Sequence, residues 1–388
     1  MADHANVLTT AAVGIRDAAR EGGRRVGLHK PESRDDAIAA GIAWLVQTHD
    51  VTDRQGSSKG YSLLHGWMPA YPETTGYVLE TLLWQGERTG DEDLVRRALA
   101  MADWEAEMQE PDGGIMEGHA ATLPRRSIVF NTGMVLHGWV TLLERGYRQY
   151  AENAKRATQF LVDNMRDDGT WDPAVEYAGI PHTYNSRVTW AMLRYAAIEN
   201  DDAARSAAAR QLDWVVDRQR PNGWFDQCFF KPGMTPSTHG IAYTLRGLLE
   251  SHALHDEPRW LAAAERTSGP LIDTLERTGW LPGAFDADWR APVSYMCLTG
   301  TVQLGGVWLR LHALTGNDRY LQAGLRAVEL AASYQERSSR SQINGALAGS
   351  FPVWGRYAPM QYPNWATRFL VESLMLRNDV TAAVGASA

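Results

Sequence analysis

Six short clusters of small and polar residues recur along this chain of 388 residues, and each one precedes an apolar stretch of helical length. Successive clusters are about 55 to 65 residues apart, which is the length of a helical hairpin with its loops. Threonine, serine, asparagine and glycine favour helix starts because they satisfy free backbone N–H groups. Each cluster therefore predicts the N-terminus of a helix. The clusters occupy residues 72–76, 130–133, 183–186, 237–240, 298–301 and 363–366.

The helices that follow the first five clusters are apolar and rich in small residues, as residues 78–83 and 242–249 illustrate. A charged turn, such as residues 89–92, then leads to a second helix that is more amphipathic and richer in Arg, Asp and Glu. This difference predicts an inner and an outer helix in each repeat. Four of the outer helices end in a related phrase, in which glycine is expected to stop the helix in a left-handed turn. These phrases are residues 109–115, 165–171, 219–224 and 276–281.

The last apolar helix, from about Asn364 to Arg377, has no partner helix after it, whereas residues 35–49 form a lone amphipathic helix before the first cluster. Pairing these two helices completes six hairpins. The expected fold is all-α, an (α/α)6 barrel closed by the N-terminal helix pairing with the C-terminal helix. The expected division of the chain is an extension at 1–34, a single barrel domain at 35–378 and a tail at 379–388.

Composition narrows the possible partners. A net charge of −8, with basic residues scattered over the outer helices, argues against a nucleic-acid partner. The N-terminal 30 residues have no apolar run long enough for a signal peptide or a membrane span, so a cytoplasmic location is expected; whether a leader peptide was removed stays open. Cys228 and Cys297 lie in different repeats and are expected to be reduced. The rim carries no metal-binding helix motif, and we expect neither a metal nor a cofactor. The oligomeric state stays open.

Inner helices of such a barrel begin at one rim, so the loops that precede them meet over one mouth. Many of the 15 tryptophans fall in these loops. Those in the repeated glycine phrases are expected to plug hairpin ends, whereas Trp67, Trp289 and Trp354 do not repeat and are the expected ligand contacts. Residues 345–357 alternate glycine with aromatic residues and are expected to wall or cover the site.

Polar side chains concentrate at the same rim, where helix N-termini favour an anionic ligand or transition state. The expected catalytic residues are Glu73, His182, Tyr184, His239, Asp286 and Asp288. The expected substrate-binding residues, besides the three tryptophans, are Asn131, Asn185, Arg187, Asp226, Arg290, Arg356, Tyr357 and Asn364.

Each of these assignments has a structural alternative. Residues 182–187 combine His and Tyr, which abstract protons, with Asn and Arg, which neutralise an acid. His182 and His239 could instead hydrogen-bond the backbone at helix starts. Glu73 either interacts with the helix dipole or has its pKa raised by burial and serves as an acid. Asp286 and Asp288 are either acids or loop-turn residues.

The ring of hairpins and its glycine-aromatic punctuation resemble the α/α-toroid superfamily over residues 35–378. That superfamily includes six-hairpin glycosidases, unsaturated glucuronyl hydrolases, polysaccharide lyases, helical domains of glucuronyl C5-epimerases, sugar 2-epimerases and terpenoid cyclases. Terpenoid cyclases of class II carry an Asp-x-Asp-Asp motif, and the nearest string here, residues 286–289, lacks the final Asp. An Asp-Asp-x-x-Asp motif on an inner helix is also absent from the sequence.

A sugar ring has an apolar face that stacks on tryptophan and hydroxyls that bind polar side chains, and arginine suits the carboxylate of a uronic acid. The predicted function is therefore a carbohydrate-active enzyme acting on a uronate-containing glycan or oligosaccharide at the barrel mouth. Proton abstraction of the lyase or epimerase type and glycosidic hydrolysis both stay open. The alternatives are a terpenoid cyclase-like enzyme and a non-catalytic glycan-binding toroid.

Overall fold

A computed structural model describes residues 12–17, 19 and 33–387 of the chain. Long helices account for most of this part, and they alternate between a ring of inner helices and a ring of outer helices. The helices are α1 (Arg34–Asp50), α2 (Pro72–Thr89), α3 (Glu92–Met108), α4 (Val129–Leu143), α5 (Ala151–Asp163), α6 (Ser186–Glu199), α7 (Asp202–Asp217), α8 (Thr238–His255), α9 (Pro258–Thr278), α10 (Leu298–Thr315), α11 (Asp318–Ala332) and α12 (Asn364–Ser387).

The even-numbered helices form the inner ring. Each inner helix packs against the next, in the order α2, α4, α6, α8, α10 and α12, and α12 returns to contact α2. Each of α2, α4, α6, α8 and α10 also packs against the outer helix that follows it, while α12 packs against α1. The predicted (α/α)6 barrel, with the N-terminal helix closing on the C-terminal helix, is therefore confirmed.

The six sequence clusters coincide with the starts of the inner helices, and a short 3-10 turn at Thr183–Asn185 precedes α6. Side-chain capping of the expected kind occurs at α8, where Gly240 N donates to Ser237 Oγ over 3.1 Å. At α2, α4 and α6 no residue caps the helix in this way. Side-chain capping therefore explains only part of the preference for small and polar residues at the starts of the inner helices.

Threonine hydroxyls inside the inner helices supply the other reason for the clusters. The hydroxyl of Thr75 accepts a hydrogen bond from Ser57 N over 2.9 Å, and the hydroxyl of Thr132 accepts one from Ile115 N over 2.8 Å. These threonines hold the incoming loop against the start of the helix, where its buried backbone N–H would otherwise lack a partner. The clusters thus fix the loops at the mouth.

Glycine within the clusters permits close packing of neighbouring inner helices. A Cβ atom at Gly76 would lie 2.5 Å from the Cα atom of Val135 on α4, and one at Gly300 would lie 2.6 Å from His239 N on α8. Contacts this short are sterically forbidden for a carbon atom, so larger residues would force the ring apart. The small residues therefore set the width of the barrel near the mouth.

The glycine phrases after the outer helices adopt the predicted left-handed turn. Gly113, Gly169 and Gly223 have φ angles of 90°, 82° and 85°. Around each of these glycines the chain forms a turn that is closed by an isolated antiparallel β-bridge. In the second repeat this bridge joins Met165 and Trp171. The Trp171 ring is buried, and its Nε1 donates to Leu161 O over 2.8 Å. This tryptophan plugs a hairpin end, as its repetition predicts.

Short antiparallel strands lie in the loops that precede inner helices, so they too gather at the mouth. β1 pairs on one side with β2 and on the other with β7, so the loop before α2 is joined to the loop before α12. The strands are β1 (Gly60–Ser62), β2 (Gly66–Trp67), β3 (Ile115–Met116), β4 (Ser127–Ile128), β5 (Met296–Cys297), β6 (Ser350–Phe351) and β7 (Gln361–Pro363).

The last inner helix is longer than expected, and the division of the chain into domains stays a prediction. The last inner helix does not stop near residue 378 but continues to Ser387, so residues placed in a tail prolong α12. Most of the expected extension at 1–34 lies outside the described residues, although residues 12–17 are helical and Val13 is buried. Over the part of the chain that the structure describes, no helix is both long and apolar enough to cross a membrane.

Candidate active site

A cavity of about 330 Å³ opens at the mouth, between the starts of the inner helices. We call it the mouth cavity. Tyrosine and other aromatic side chains make up much of its wall, and carboxyl, imidazole and ammonium groups lie among them. The lining residues are Lys59, Tyr71, Glu73, Tyr77, Glu117, Gly118, His119, Ile128, Phe130, Asn131, Tyr177, Tyr184, Phe230, His239, Tyr243, Tyr357 and Trp365.

His239, in the first turn of α8, is held in one orientation. Its Nδ1 atom lies 2.6 Å from Oε1 of Gln303 on α10. Because an amide oxygen only accepts hydrogen bonds, Nδ1 carries the proton and Nε2 carries the lone pair. The pKa of His239 is lowered to about 3, mainly by burial; the bond to Gln303 opposes this effect and the charge of Arg187 adds to it. The imidazole is therefore neutral and available as a base.

Glu73, in the first turn of α2, is the matching acid. The hydroxyl of Tyr71 donates to Glu73 Oε2 over 2.7 Å. Burial raises the pKa of the Glu73 carboxyl, although the Tyr71 hydroxyl and the charge of Lys59 act in the other direction. Since α2 and α8 stand opposite each other in the six-membered ring, Glu73 and His239 enter the mouth cavity from opposite sides.

Two tyrosines form the floor of the mouth cavity. The hydroxyl groups of Tyr77 and Tyr243 are buried, make no hydrogen bond to any described residue that meets ordinary geometry, and lie near enough to affect each other's pKa. The Tyr243 ring lies 4.2 Å from the His239 ring, measured between centroids. The two hydroxyl groups therefore interact with each other beneath the mouth cavity, close to His239.

Arg187 lies under this floor and does not line the cavity. Its guanidinium carbon is 5.9 Å from the Tyr77 ring centroid and 5.2 Å from that of Tyr243. Nε and Nη2 are buried and make no hydrogen bond to a described residue. The nearby carboxylate of Glu372 is instead bound by Arg368 and Arg246. Arg187 therefore adds positive charge beneath the mouth cavity rather than a direct ligand contact.

The remaining charged groups of the wall lie on the side of α2. Glu117 is ion-paired with Arg126. Burial, and then the charge of Lys59, lower the pKa of His119. Lys59 Nζ makes no ion pair with any described residue and lies 4.7 Å from the Tyr71 ring centroid. Within the described part of the chain, no three His, Cys, Asp or Glu side chains are grouped so as to hold a metal ion.

Five of the residues predicted from the sequence line the mouth cavity. They come from α2, from α4, from the turn before α6, from α8 and from the loop before α12. Tyr184 is nearly buried and stacks on His182 with ring centroids 4.5 Å apart. These five residues are Glu73, Asn131, Tyr184, His239 and Tyr357.

Two predicted residues lie behind the wall instead. Both ring nitrogens of His182 are within hydrogen-bond distance of backbone carbonyls, 2.9 Å from Phe229 O and 2.8 Å from Tyr177 O. Asn185 donates to both carboxyl oxygens of the buried Glu176. Neither residue has a hydrogen-bonding nitrogen to spare for a ligand; His182 stacks on Tyr184, and Asn185 binds Glu176.

The predicted residues of the 286–290 loop, together with Asp226, lie outside the mouth cavity. Asp286 Oδ1 accepts from the backbone N–H of Asp288 and from that of Arg290, which is the geometry of a loop turn. Arg290 and Asp288 form an exposed ion pair. Trp289 packs edge-on against Trp224. Asp226 pairs with Arg220. Turn formation and surface pairing account for their acidic and basic groups.

The last four predicted contacts also lie away from the cavity. Trp67 packs against Trp44, and Arg356 is exposed. Trp354 is 54% exposed, although Tyr357 from the same segment does reach the cavity. Asn364 is buried and donates to Ser57, Ser58 and Thr74, which joins the start of α12 to the loop before α2.

Sequence reasoning missed two residues that matter for the chemistry. Lys59 lies 13 residues before the first cluster, in a stretch of glycine and serine that predicts a loop. A lysine is uncommon in a chain whose basic residues are nearly all arginine, and that was the one available signal. Gln303 lies two residues after the cluster 298–301, in an apolar part of the helix. A glutamine in such a stretch indicates a buried hydrogen bond.

Comparison with known proteins gives the fold but no family. Among solved structures, an unsaturated glucuronyl hydrolase specific for heparin is similar with a TM-score of 0.70 and 14% identity, covering 90% of this chain and 98% of that one. Unsaturated glucuronyl hydrolase from Bacillus sp. GL1 has a TM-score of 0.67 and 17% identity, covering 90% and 98%. Cellobiose 2-epimerase from Bacillus thermoamylovorans B4167 has a TM-score of 0.65 and 12% identity, covering 86% of this chain and 95% of that one.

No protein-family model matches the chain, and no curated protein matches its sequence significantly. At identities this low the structural neighbours establish the architecture, an all-α barrel of six hairpins over most of the chain. They do not establish the chemistry of the site, which depends on the residues of this chain.

Proposed function

We propose that this protein is an enzyme that transfers protons on a uronate-containing saccharide bound in the mouth cavity. The observation that carries the proposal is the placement of a neutral, oriented His239 opposite Glu73, whose pKa burial raises. A pair of titratable groups with pKa values displaced in these directions suits general base and general acid roles.

The saccharide part of the proposal rests on the cavity wall. Its size and its aromatic surface, with a few convergent polar groups, suit one or two sugar rings. Aromatic rings bind the apolar face of a sugar, and polar lining groups such as those of Lys59, Glu73 and His239 bind its polar edge. Two of the structural neighbours are named glucuronyl hydrolases and a third is an epimerase, which supports sugars as ligands and uronates among them.

In the proposed reaction, His239 Nε2 takes the proton from the carbon next to the uronate carboxylate, and the electron pair moves onto that carboxylate. Glu73 then donates its proton from the opposite side. If this proton goes to the same carbon, the carbon is inverted and the product is an epimer. If it goes to the oxygen that leaves the neighbouring carbon, the product is an unsaturated uronate. In both cases one proton is taken and one is given.

The positive environment assists the first step. The helix N-termini around the mouth and the buried charge of Arg187 stabilise the negative charge that develops on the carboxylate when the proton leaves. The protein thereby supplies both proton transfer and charge stabilisation.

Glycosidic hydrolysis is the second candidate, and one observation favours it. Glu117 lines the same cavity and is ion-paired with Arg126, while burial raises the pKa of the neighbouring Glu73. A protonated and a charged carboxyl group are the requirements of a glycosidase. The two candidates share Glu73 as the acid and differ in the second residue.

One experiment separates these reactions. The protein is incubated in D₂O with a panel of uronic-acid oligosaccharides, and the products are followed by NMR, mass spectrometry and ultraviolet absorbance. Deuterium at the carbon next to the carboxylate is expected, and an inverted configuration there would identify an epimerase. Ultraviolet absorbance of an unsaturated uronate would identify elimination, and a mass gain of one water without deuterium would identify hydrolysis.

Variants assign the roles. His239→Gln is expected to lower turnover about 10²- to 10⁴-fold, which is the usual contribution of a general base, and Glu73→Gln is expected to do the same. Asp288→Asn, at an exposed position outside the cavity, serves as the control and should leave turnover unchanged. Full activity of both His239→Gln and Glu73→Gln, or no product from any sugar of the panel, would overturn the proposal.

The expected cytoplasmic location and the absence of a nucleic-acid partner stay predictions. Both rest on sequence composition alone.

A further inference from the structure

Lys59 is a lining residue that makes no ion pair with any described residue. It comes immediately before β1, and its side chain enters the mouth cavity on the side of α2 and α12. Its ammonium group lies 4.7 Å from the Tyr71 ring centroid and 6.0 Å from that of Trp365. No carboxylate of the described residues forms an ion pair with it, and Glu117, a carboxylate of the cavity wall, is paired with Arg126 instead.

The backbone of Lys59 is fixed on both sides. Its N–H donates to Pro69 O over 2.9 Å, and its carbonyl accepts from Asn364 N over 3.0 Å. Asn364 is itself tied to Ser58 O, so the first residues of α12 hold the loop that carries Lys59. The ammonium group is therefore presented from a rigid position between two aromatic rings, which is a preorganised site for an anion.

Building on the proposed function, we propose that Lys59 binds the carboxylate of the saccharide and is the residue that selects acidic over neutral sugars. The aromatic rings beside it would stack on the same sugar ring while the ammonium group pairs with its carboxylate. That placement brings the carboxylate-bearing end of the sugar next to Glu73, the acid of the proposed reaction, with His239 on the far side. Arg187, Arg290 and Arg356, which the sequence suggested as substrate-binding residues, do not line the mouth cavity.

The inference is tested by binding of D-glucuronate and of D-glucuronamide, which has the same ring without the charge, measured by calorimetry. Wild type is expected to prefer glucuronate by about 10- to 100-fold, which is the usual effect of a charge-assisted hydrogen bond. Lys59→Met should remove this preference and leave glucuronamide binding nearly unchanged. Lys59→Arg should retain the preference, which excludes a folding defect as the cause.

Lys231→Met is the matched control. Lys231 is an exposed lysine that lies 5.8 Å from the ring centroid of a lining tyrosine, Tyr177, but it does not line the cavity. Its substitution should leave the preference as in wild type. An unchanged preference in Lys59→Met, or equal binding of both sugars by wild type, would overturn the role of Lys59 and leave the saccharide site standing. Binding of neither sugar by wild type would overturn the proposed function together with it.

Discussion

The imidazole of His239 and the amide of Gln303 are joined by a hydrogen bond of 2.6 Å between Nδ1 and Oε1. The two residues lie on neighbouring inner helices, α8 and α10, and 64 positions apart in the chain. The bond fixes both the orientation and the tautomer of the imidazole, so that the free lone pair is on Nε2. A residue outside the cavity thereby prepares the base inside it.

Substitution of Gln303 should alter the pH dependence of the enzyme. In wild type the pKa of His239 is about 3, so the base stays neutral and active well below neutral pH. Gln303→Glu places a carboxylate beside Nδ1, which favours the imidazolium and raises the pKa of His239. The acidic limb of kcat/KM should therefore move to higher pH. Gln211→Glu, at another buried glutamine on the outer helix α7, is the control. Identical profiles for wild type and Gln303→Glu would contradict the assignment of His239 as base.

Binding of an acidic ligand should be accompanied by uptake of a proton at Glu73. The charge of Lys59 lowers the pKa of Glu73 against the larger effect of burial. A carboxylate bound at Lys59 cancels that charge, so the pKa of Glu73 rises further and the carboxyl group takes up a proton. The titratable side chains that share this electrostatic environment or line the cavity near Glu73 are Lys59, Tyr71, Tyr77, Glu117, His119, Tyr177, Tyr184, His239, Tyr243 and Tyr357.

The measurement is calorimetric titration with glucuronate in two buffers that differ in ionisation enthalpy, at pH values around the pKa of Glu73. The difference between the observed enthalpies gives the number of protons taken up. Uptake is expected in wild type and should disappear in Glu73→Gln. The same uptake in Glu73→Gln would assign the proton to another group.

Gly169→Ala should destabilise the fold more than Gly146→Ala does. Both glycines have a left-handed φ, 82° and 85°, so both substitutions carry a similar backbone strain. A Cβ atom at Gly169 would lie 2.5 Å from Arg210 O on the next outer helix, whereas one at Gly146 meets no atom within 4 Å. The packing clash should add about 1–3 kcal/mol to the loss in free energy of unfolding. Chemical denaturation checks this, and equal losses would show that the turn does not need close packing.

Glu176→Gln should stabilise the protein increasingly as the pH rises. Burial raises the folded-state pKa of Glu176 to about 8 from its ordinary value of 4.5, partly opposed by Asn185. Between these two values the unfolded chain releases the proton and the folded protein keeps it, so the free energy of unfolding falls as the pH rises. Glutamine removes the titration and keeps an oxygen that accepts from Asn185. The gain in Tm over wild type should be larger at about pH 8 than at about pH 4.5. A gain independent of pH would mean that Glu176 does not titrate in this window.

Much of the barrel could be predicted because its signals are local and repeated. A cluster such as residues 72–76 carries its helix start in its own composition, and the turn at Gly169 follows from the conformational freedom of glycine. Closure also followed from the sequence, since an unpaired helix at each end leaves one way to complete the ring. The capping mechanism was only partly right, because Thr75 binds an incoming loop that is distant in sequence.

The site could be predicted only in part. Glu73 and His239 stand at helix starts, and every inner-helix start points to the mouth, so position in the repeat was enough to find them. The same reasoning placed Asp286 and Asp288 at the rim, but it could not tell that backbone N–H groups use Asp286 in a turn. Nor could it tell that the side-chain nitrogen of Asn364 already lies within hydrogen-bond distance of Ser57, Ser58 and Thr74.

The repeat, the number of hairpins and the end of the barrel at which polar groups collect follow from the amino-acid sequence, because these features depend on residues close together in the chain. Which polar groups remain for a ligand depends on how distant parts of the chain pack together. Whether a side chain serves a ligand depends on whether a residue far away in sequence already satisfies it. Gln303 orients His239, Tyr71 binds Glu73, and no carboxylate of the described residues neutralises Lys59.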